Sequence, residues 1–277
     1  MQITSFVLKI IAIICMFIDH TSVALYNVIP SEMNYIYDIG RGIGRIAFPL
    51  FCFMIVEGYY HTRNKLRYLG SLILLAFISE LPFDSLISGN GLQLEYNSQN
   101  VFFTLTMGLL MVILLDAVNK RMKTIIEKQK KGVNRFEAVA TNVVIQILII
   151  QFMYMPMTYI KSDYGSFGLD LILYIYYFEK IPGLFKKFNE KFESDKVKFI
   201  FAGLAVLLWL IEFDVVRGRL IESPGFPAVI LIMLYNGKRG NYKIPKYIFY
   251  FFYPIHLILL YFIRKALFGY FGISGQW

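Results

Sequence analysis

Long unbroken runs of apolar residues constrain this chain more than anything else in it. Set against breakers, nine such runs stand out: Ile3 to Tyr26, Arg41 to Tyr60, Leu66 to Ile87, Val101 to Val118, Phe136 to Ile160, Gly165 to Phe178, Val197 to Phe213, Ile221 to Asn236 and Tyr247 to Phe268. A run of about twenty apolar residues wound as an α-helix matches the hydrocarbon thickness of a bilayer. A transmembrane strand would instead show alternating polarity over about ten residues, so a barrel is excluded. With 57% hydrophobic residues and a mean hydropathy of +0.55, the chain reads as an all-α polytopic bundle of about nine spans. The sixth run is short, and Pro224 and Pro227 interrupt the eighth. No internal repeat divides the chain, so residues 1–277 are expected to form a single integral membrane domain.

Charge placement sets the expected orientation, because cytoplasmic connections carry excess Lys and Arg. Most of the 28 basic residues fall in four connections: 63–67, 120–135, 180–198 and 238–246. The alternate connections 27–40 and 82–100 hold none. That alternation expects a cytoplasmic N-terminus and an external C-terminus. It also accounts for the net charge of +9 without nucleic acid as a partner. The lysine- and glutamate-rich 180–198 stretch reads as a solvated loop or surface helix. No cleavage site of small residues follows the first apolar run, so that helix is expected to be retained. Cys15 and Cys52 fall inside spans and read as small core residues.

Ionisable residues inside these spans mark a site, since a charge in hydrocarbon is costly unless it faces partners or a pathway. The first run carries Asp19 and His20. Counting about 1.5 Å per residue, an outer polar set gathers Asp19, His20, Arg41, Arg45 and Glu80, with Asp170, Glu212 and Asp214 at similar depth. An inner set gathers Lys9, Glu57, His61, Arg63, Asn64, Asn236, Lys238 and Arg239. Adjacent helical residues point about 100° apart, so Asp19 is expected to pair with Arg41 or Arg45 rather than to orient His20. His20 is the candidate general base, as a neutral imidazole can take a proton from an attacking hydroxyl or amine. Glu57 and His61 are four apart on one helix face. His256 is expected either to satisfy the carbonyl freed by Pro254 or to contact the substrate. The three histidines, at separate depths and with no cysteine cluster, do not form a metal site. No Walker, dinucleotide or nucleophile-elbow motif is present.

The runs KIIAIICMFIDH, GRGIGRIAFPLFCFMIVEGYYHTRN, FISELPFD, NVFFTLTMGLL, YNGKRG and FYFFYPIHLILL resemble those of the TraX family, over most of the chain from Lys9 to His256. The resemblance implies an integral protein of the bacterial cytoplasmic membrane linked to acetylation of a pilin N-terminus. A basic residue followed by a histidine late in the first helix, here Lys9 and His20, is also similar to membrane acyltransferases that use cytoplasmic acetyl-CoA. The implied activity moves acetyl from acetyl-CoA to an extracytoplasmic polypeptide amine or glycan hydroxyl. His20, Asp19 and His256 would then carry the chemistry. Lys9, His61, Arg63, Asn64, Asn236, Lys238 and Arg239 would hold the coenzyme, and Arg41, Arg45, Glu57 and Glu80 the acceptor. A proton-coupled small-molecule transporter is the second class consistent with buried charges, although the missing repeat counts against it.

Overall fold

The computed structural model describes residues 3–26, 28, 30–87, 91–128, 134–185, 194–240 and 246–271. Lys130, Lys131, Lys186, Lys187, Glu190, Lys191, Glu193 and Lys243 of the basic connections lie outside them. The described chain is helical, in the order α1 (Ser5–Leu25), α2 (Asn34–Gly44), α3 (Ala47–His61), α4 (Lys65–Ile87), α5 (Val101–Lys128), α6 (Arg135–Ile160), α7 (Gly165–Phe178), α8 (Ile181–Leu184), α9 (Asp195–Arg217), α10 (Pro227–Met233) and α11 (Lys246–Phe271). Seven segments are long and apolar enough to cross a membrane, with α2 and α3 counted as one. The chain is a multi-pass helical membrane protein.

Two of the nine expected spans are shorter than a bilayer. At 14 residues α7 reaches only about 21 Å, and the apolar segment Ser223–Met233 is shorter still. α7 is enclosed by other helices, and α10 buries one face against them. Leu169, Leu171, Ile172, Ile175 and Tyr176 of α7 are fully enclosed, as are Ala228 and Ile232 of α10. Their apolarity answers to the protein core, so it sets no length.

The second expected span is two helices. Pro49, in the first turn of α3, has no N–H to donate to the Arg45 carbonyl, and the chain breaks at Arg45 and Ile46. The stretch expected as a connection up to Gly40 is largely helical, as α2. Gly40 and Gly44, four apart, let α2 lie directly on α1, because a Cβ at either would overlap a side chain of α1, Ser22 or Asp19 respectively.

At the basic end, the run Asn236–Arg239 closes the start of α1. The Lys238 carbonyl accepts from Ser5 N–H (2.9 Å) and the Arg239 carbonyl from Phe6 N–H (3.2 Å), pairing donors that a helix start leaves open.

Replacing Gly44 by Ala is expected to push Asp19 off its partner and to cost about 1–3 kcal/mol, an overpacking penalty. Thermal melting in detergent should show this as a lowered midpoint. Gly70→Ala is the control, since nothing lies within 4 Å of the added Cβ.

Candidate active site

Asp19 sits about two-thirds of the way along α1, at the end remote from the basic connections. Its carboxylate accepts a 2.6 Å bond from Arg41 Nη1 of α2. Of the two partners that the sequence allowed, Arg41 takes it. One turn on, Arg45 pairs with Glu222 at 2.8 Å and donates to the Tyr164 hydroxyl at 3.2 Å. Asp163 lies within electrostatic reach of both arginines.

Two loops carry these partners, and each is pinned. Asp214, near the end of α9, accepts backbone N–H bonds from Ile221 (2.8 Å), Glu222 (2.7 Å) and Ser223 (3.0 Å), together with the Ser223 hydroxyl. These bonds fold residues 218–223 back over the bundle and deliver Glu222 to Arg45. Thr104 of α5 donates to the Asp163 carbonyl (2.5 Å) and meets Ser162 Oγ (2.8 Å), which fixes the 161–164 turn. Tyr164, in the left-handed region at φ 64°, stacks on Phe48 with ring centroids 3.6 Å apart.

His20 faces α11, where its Nδ1 lies 2.7 Å from His256 Nε2. His256 Nδ1 in turn meets the Phe252 carbonyl at 2.8 Å. Phe17, Phe252 and Tyr253 surround the two rings. Arg41 lies within electrostatic reach of His20. The site is thus a knot of charges, Asp19, Arg41, Arg45, Asp163 and Glu222, beside a hydrogen-bonded pair of neutral-capable rings.

Several expectations are corrected by this geometry. His20 and His256 are in contact and not at separate depths, because α1 and α11 enter the bundle with a stagger that residue counting does not see. His256 bonds the Phe252 carbonyl and not the Tyr250 carbonyl that Pro254 frees. Glu80, of the outer set, accepts from the N–H and side-chain amide of Asn100, which caps α5. Glu57 joins the opposite end of the molecule, where Lys198 Nζ lies 2.5 Å away and His61 3.3 Å. Asp170 and Glu212 bond Tyr154 and Tyr174 and stand apart from Arg41 and Arg45.

Among the expected coenzyme contacts, Lys9 lies over the Phe249 ring at 5.9 Å. Asn64 caps α4 by accepting from Arg67 N–H, and Asn236 accepts from Lys238 N–H. The side chains of Arg63, Lys238 and Arg239 are exposed at that end. Glu222, Asp163, Tyr164 and Tyr253 went unread in the sequence. Glu222 precedes Ser-Pro-Gly in a connection, and only the Asp214 clasp brings it inward.

A family model described as TraX protein matches residues 5–264. The chain belongs to the TraX family. A relative described as a probable fimbrial assembly protein, FimC of serogroup H1, from Dichelobacter nodosus, is 28% identical over 272 residues, covering 93% of this chain and 94% of the relative. No solved structure matches the chain. The family match spans the whole charged knot and both histidines of the pair.

Burial pushes the Glu222 carboxyl up to about 7 from its ordinary 4.5, against the pull of Arg45. The folded protein therefore holds this proton more tightly than the unfolded chain. The stabilisation is complete below about pH 4.5 and is lost as pH rises through about 7. Glu222→Gln has no such proton. Melting midpoints in detergent should show wild type losing ground to this variant between those two pH values, with a constant difference above them.

Proposed function

We propose that this TraX family member is a membrane-embedded acetyltransferase that moves acetyl from cytoplasmic acetyl-CoA to an acceptor at the opposite face of the bacterial cytoplasmic membrane. The observation that carries the reading is the pair of half-buried His20 and buried His256 beside the half-buried Asp19–Arg41 ion pair, toward the end away from the basic connections. A helix with no task for these groups would hold aliphatic side chains at far lower cost.

The step needs a base near the acceptor and a cation near the thioester oxygen. A lone pair on the acceptor oxygen or nitrogen attacks the thioester carbonyl carbon. The ring nitrogen of His20 that His256 does not engage takes the acceptor's proton. The tetrahedral intermediate collapses with cleavage of the carbon–sulfur bond, and the CoA sulfur leaves with the proton returned by His20. The products are an acetyl ester or amide and CoA–SH. Arg41 spends one nitrogen on Asp19 and keeps further donors for the negative charge that develops on the carbonyl oxygen.

The basic end supports entry of the donor from the cytoplasm. Lys9, His61, Arg63, Asn64, Asn236, Lys238 and Arg239 are the residues suited to the anionic nucleotide part of CoA, through lysine point charges and planar arginine donors. The fimbrial relative's name supports an acceptor belonging to a surface filament, with a glycan amine or hydroxyl as the wider class.

The test is release of CoA from acetyl-CoA by the purified protein in lipid nanodiscs, with peptide amines and glycans as acceptors. His20→Gln is expected to lower turnover about 10²–10⁴-fold, the worth of a general base, while CoA binding measured calorimetrically stays intact. Undiminished turnover would remove His20 from the step. Solute flux in proteoliposomes with no thioester present would favour a transporter instead.

A further inference from the structure

The bonding pattern around His256 has one direction. A carbonyl oxygen only accepts, so the 2.8 Å contact between His256 Nδ1 and the Phe252 carbonyl puts a hydrogen on Nδ1. A neutral His256 then presents a bare lone pair at Nε2. That lone pair lies 2.7 Å from His20 Nδ1, so His20 must donate from Nδ1. Its own Nε2 is left without hydrogen.

We propose that His256 is a positioning residue that locks His20 in the Nδ1–H tautomer and leaves His20 Nε2 as the proton acceptor of the site. The catalytic consequence rests on the acetyltransferase reading; the tautomer itself does not. His256 is only 3% exposed, so it acts through His20 rather than on a substrate. Its ring is held by packing: Phe252 stacks on it with centroids 4.8 Å apart, and Tyr253 and Phe17 meet it edge-on at 5.6 and 6.1 Å. The two imidazoles lie 14° from coplanar, with centroids 5.0 Å apart, an arrangement that aims one ring's N–H along the other's lone pair.

The competing arrangement has His256 doubly protonated, so that His20 accepts at Nδ1 and carries its hydrogen on Nε2, where it is useless as a base. That state places a second cation beside Arg41 with no carboxylate paired to His256 among the described residues. When His20 Nε2 takes a proton, the imidazolium keeps its Nδ1–H bond to His256, and the bond becomes charge-assisted and stronger. His256 thus favours the protonated intermediate without a second formal charge in the membrane interior.

The test is nitrogen-15 NMR of protein labelled at the imidazole nitrogens, in nanodiscs. There are 3 histidines, so spectra of His20→Gln, His61→Gln and His256→Gln complete the assignment. His20 and His256 are both expected to show a pyrrole-type Nδ1 and a pyridine-type Nε2, the less common tautomer of a free imidazole. Hydrogen on His20 Nε2, or a doubly protonated His256, would overturn the proposal.

In His256→Leu, His20 should move to the Nε2–H tautomer. Its kcat for acetyl transfer should fall about 10²–10⁴-fold with KM for acetyl-CoA unchanged, the scale of a misplaced tautomer in a hydrolase triad. His256→Gln presents an amide oxygen where Nε2 was, and should keep the Nδ1–H form and recover most of kcat. A His256→Leu variant that keeps wild-type kcat would also count against the proposal. If that variant does not fold, the wild-type spectrum decides by itself. The expected spectrum from a protein that transfers no acetyl would sink the function and uphold the tautomer.

Discussion

A carboxylate cannot be carried into hydrocarbon alone, and the position of Asp19 makes that rule the organiser of one whole end of this protein. Taking a charge from water to the membrane interior costs several kcal/mol at least unless an opposite charge meets it in good geometry. Arg41 meets it at 2.6 Å, and can do so only because Gly40 and Gly44 bring the α2 backbone onto α1. The pairing then propagates. Arg45, one turn on, needs Glu222; Glu222 needs the Asp214 clasp; and Tyr164 needs the turn that Thr104 holds. Loops from the second half of the chain are drawn in to neutralise charges placed by the first two helices.

The fold was legible in the sequence to the extent that one physical quantity, apolar length, decides it. Seven of the nine apolar runs lie in segments of spanning length, α2 and α3 together making one, and the basic connections alternate with 27–40 and 82–100, which hold no lysine or arginine. The exceptions have a common cause. Apolarity over α7 and α10 records burial against protein, and a periodic pattern cannot tell a protein neighbour from a lipid one. The break between α2 and α3 was written in Pro49, but the apolar average across it hid the signal. Of the site, the Asp19–arginine pairing could be read from depth because both partners sit in early, contiguous helices. The meeting of His20 and His256 could not: it joins positions 236 residues apart and depends on the stagger of α1 against α11. Depth did place Glu57 at the basic end, where it meets Lys198, but depth along a helix says nothing of direction around it, so the turn of Glu80 toward Asn100 was not legible.

The opposite end shows the same rule at work on lysines. Lys198 lies between the buried carboxylates of Glu57 and Glu179, at 2.5 and 3.5 Å. Burial beside Glu57 raises the Glu179 carboxyl, while Lys198 pulls it the other way. Lys180 reaches Asp116 and lies over the Tyr176 ring at 3.6 Å, and Lys65 bonds the Tyr59 and Thr62 carbonyls. A count of basic residues therefore overstates the positive charge available to an anionic ligand, because part of it is committed to the protein's own carboxylates and carbonyls. On the proposed reading, the exposed side chains of Arg63 and Lys238 carry more weight in that role than the count does.

On the proposed transfer, the cost of buried charge also accounts for an imidazole, and not a carboxylate, standing behind His20. In a soluble hydrolase a buried aspartate orients the base and stabilises its protonated form, and water or nearby N–H groups offset the cost of that charge. Here the ring is packed among Phe17, Phe252 and Tyr253, of which only the Tyr253 hydroxyl could donate to a carboxylate. The cation nearest His20 among the described residues, Arg41, is already paired with Asp19 through one nitrogen. A carboxylate in place of His256 would be charged and unpaired whenever His20 is neutral, and would cost several kcal/mol in that state. A neutral ring anchored to a helical carbonyl fixes the same geometry and leaves His20 as the one member of the pair to take a charge. A site working as proposed thereby confines its electrostatic cost to the moment at which His20 holds a proton.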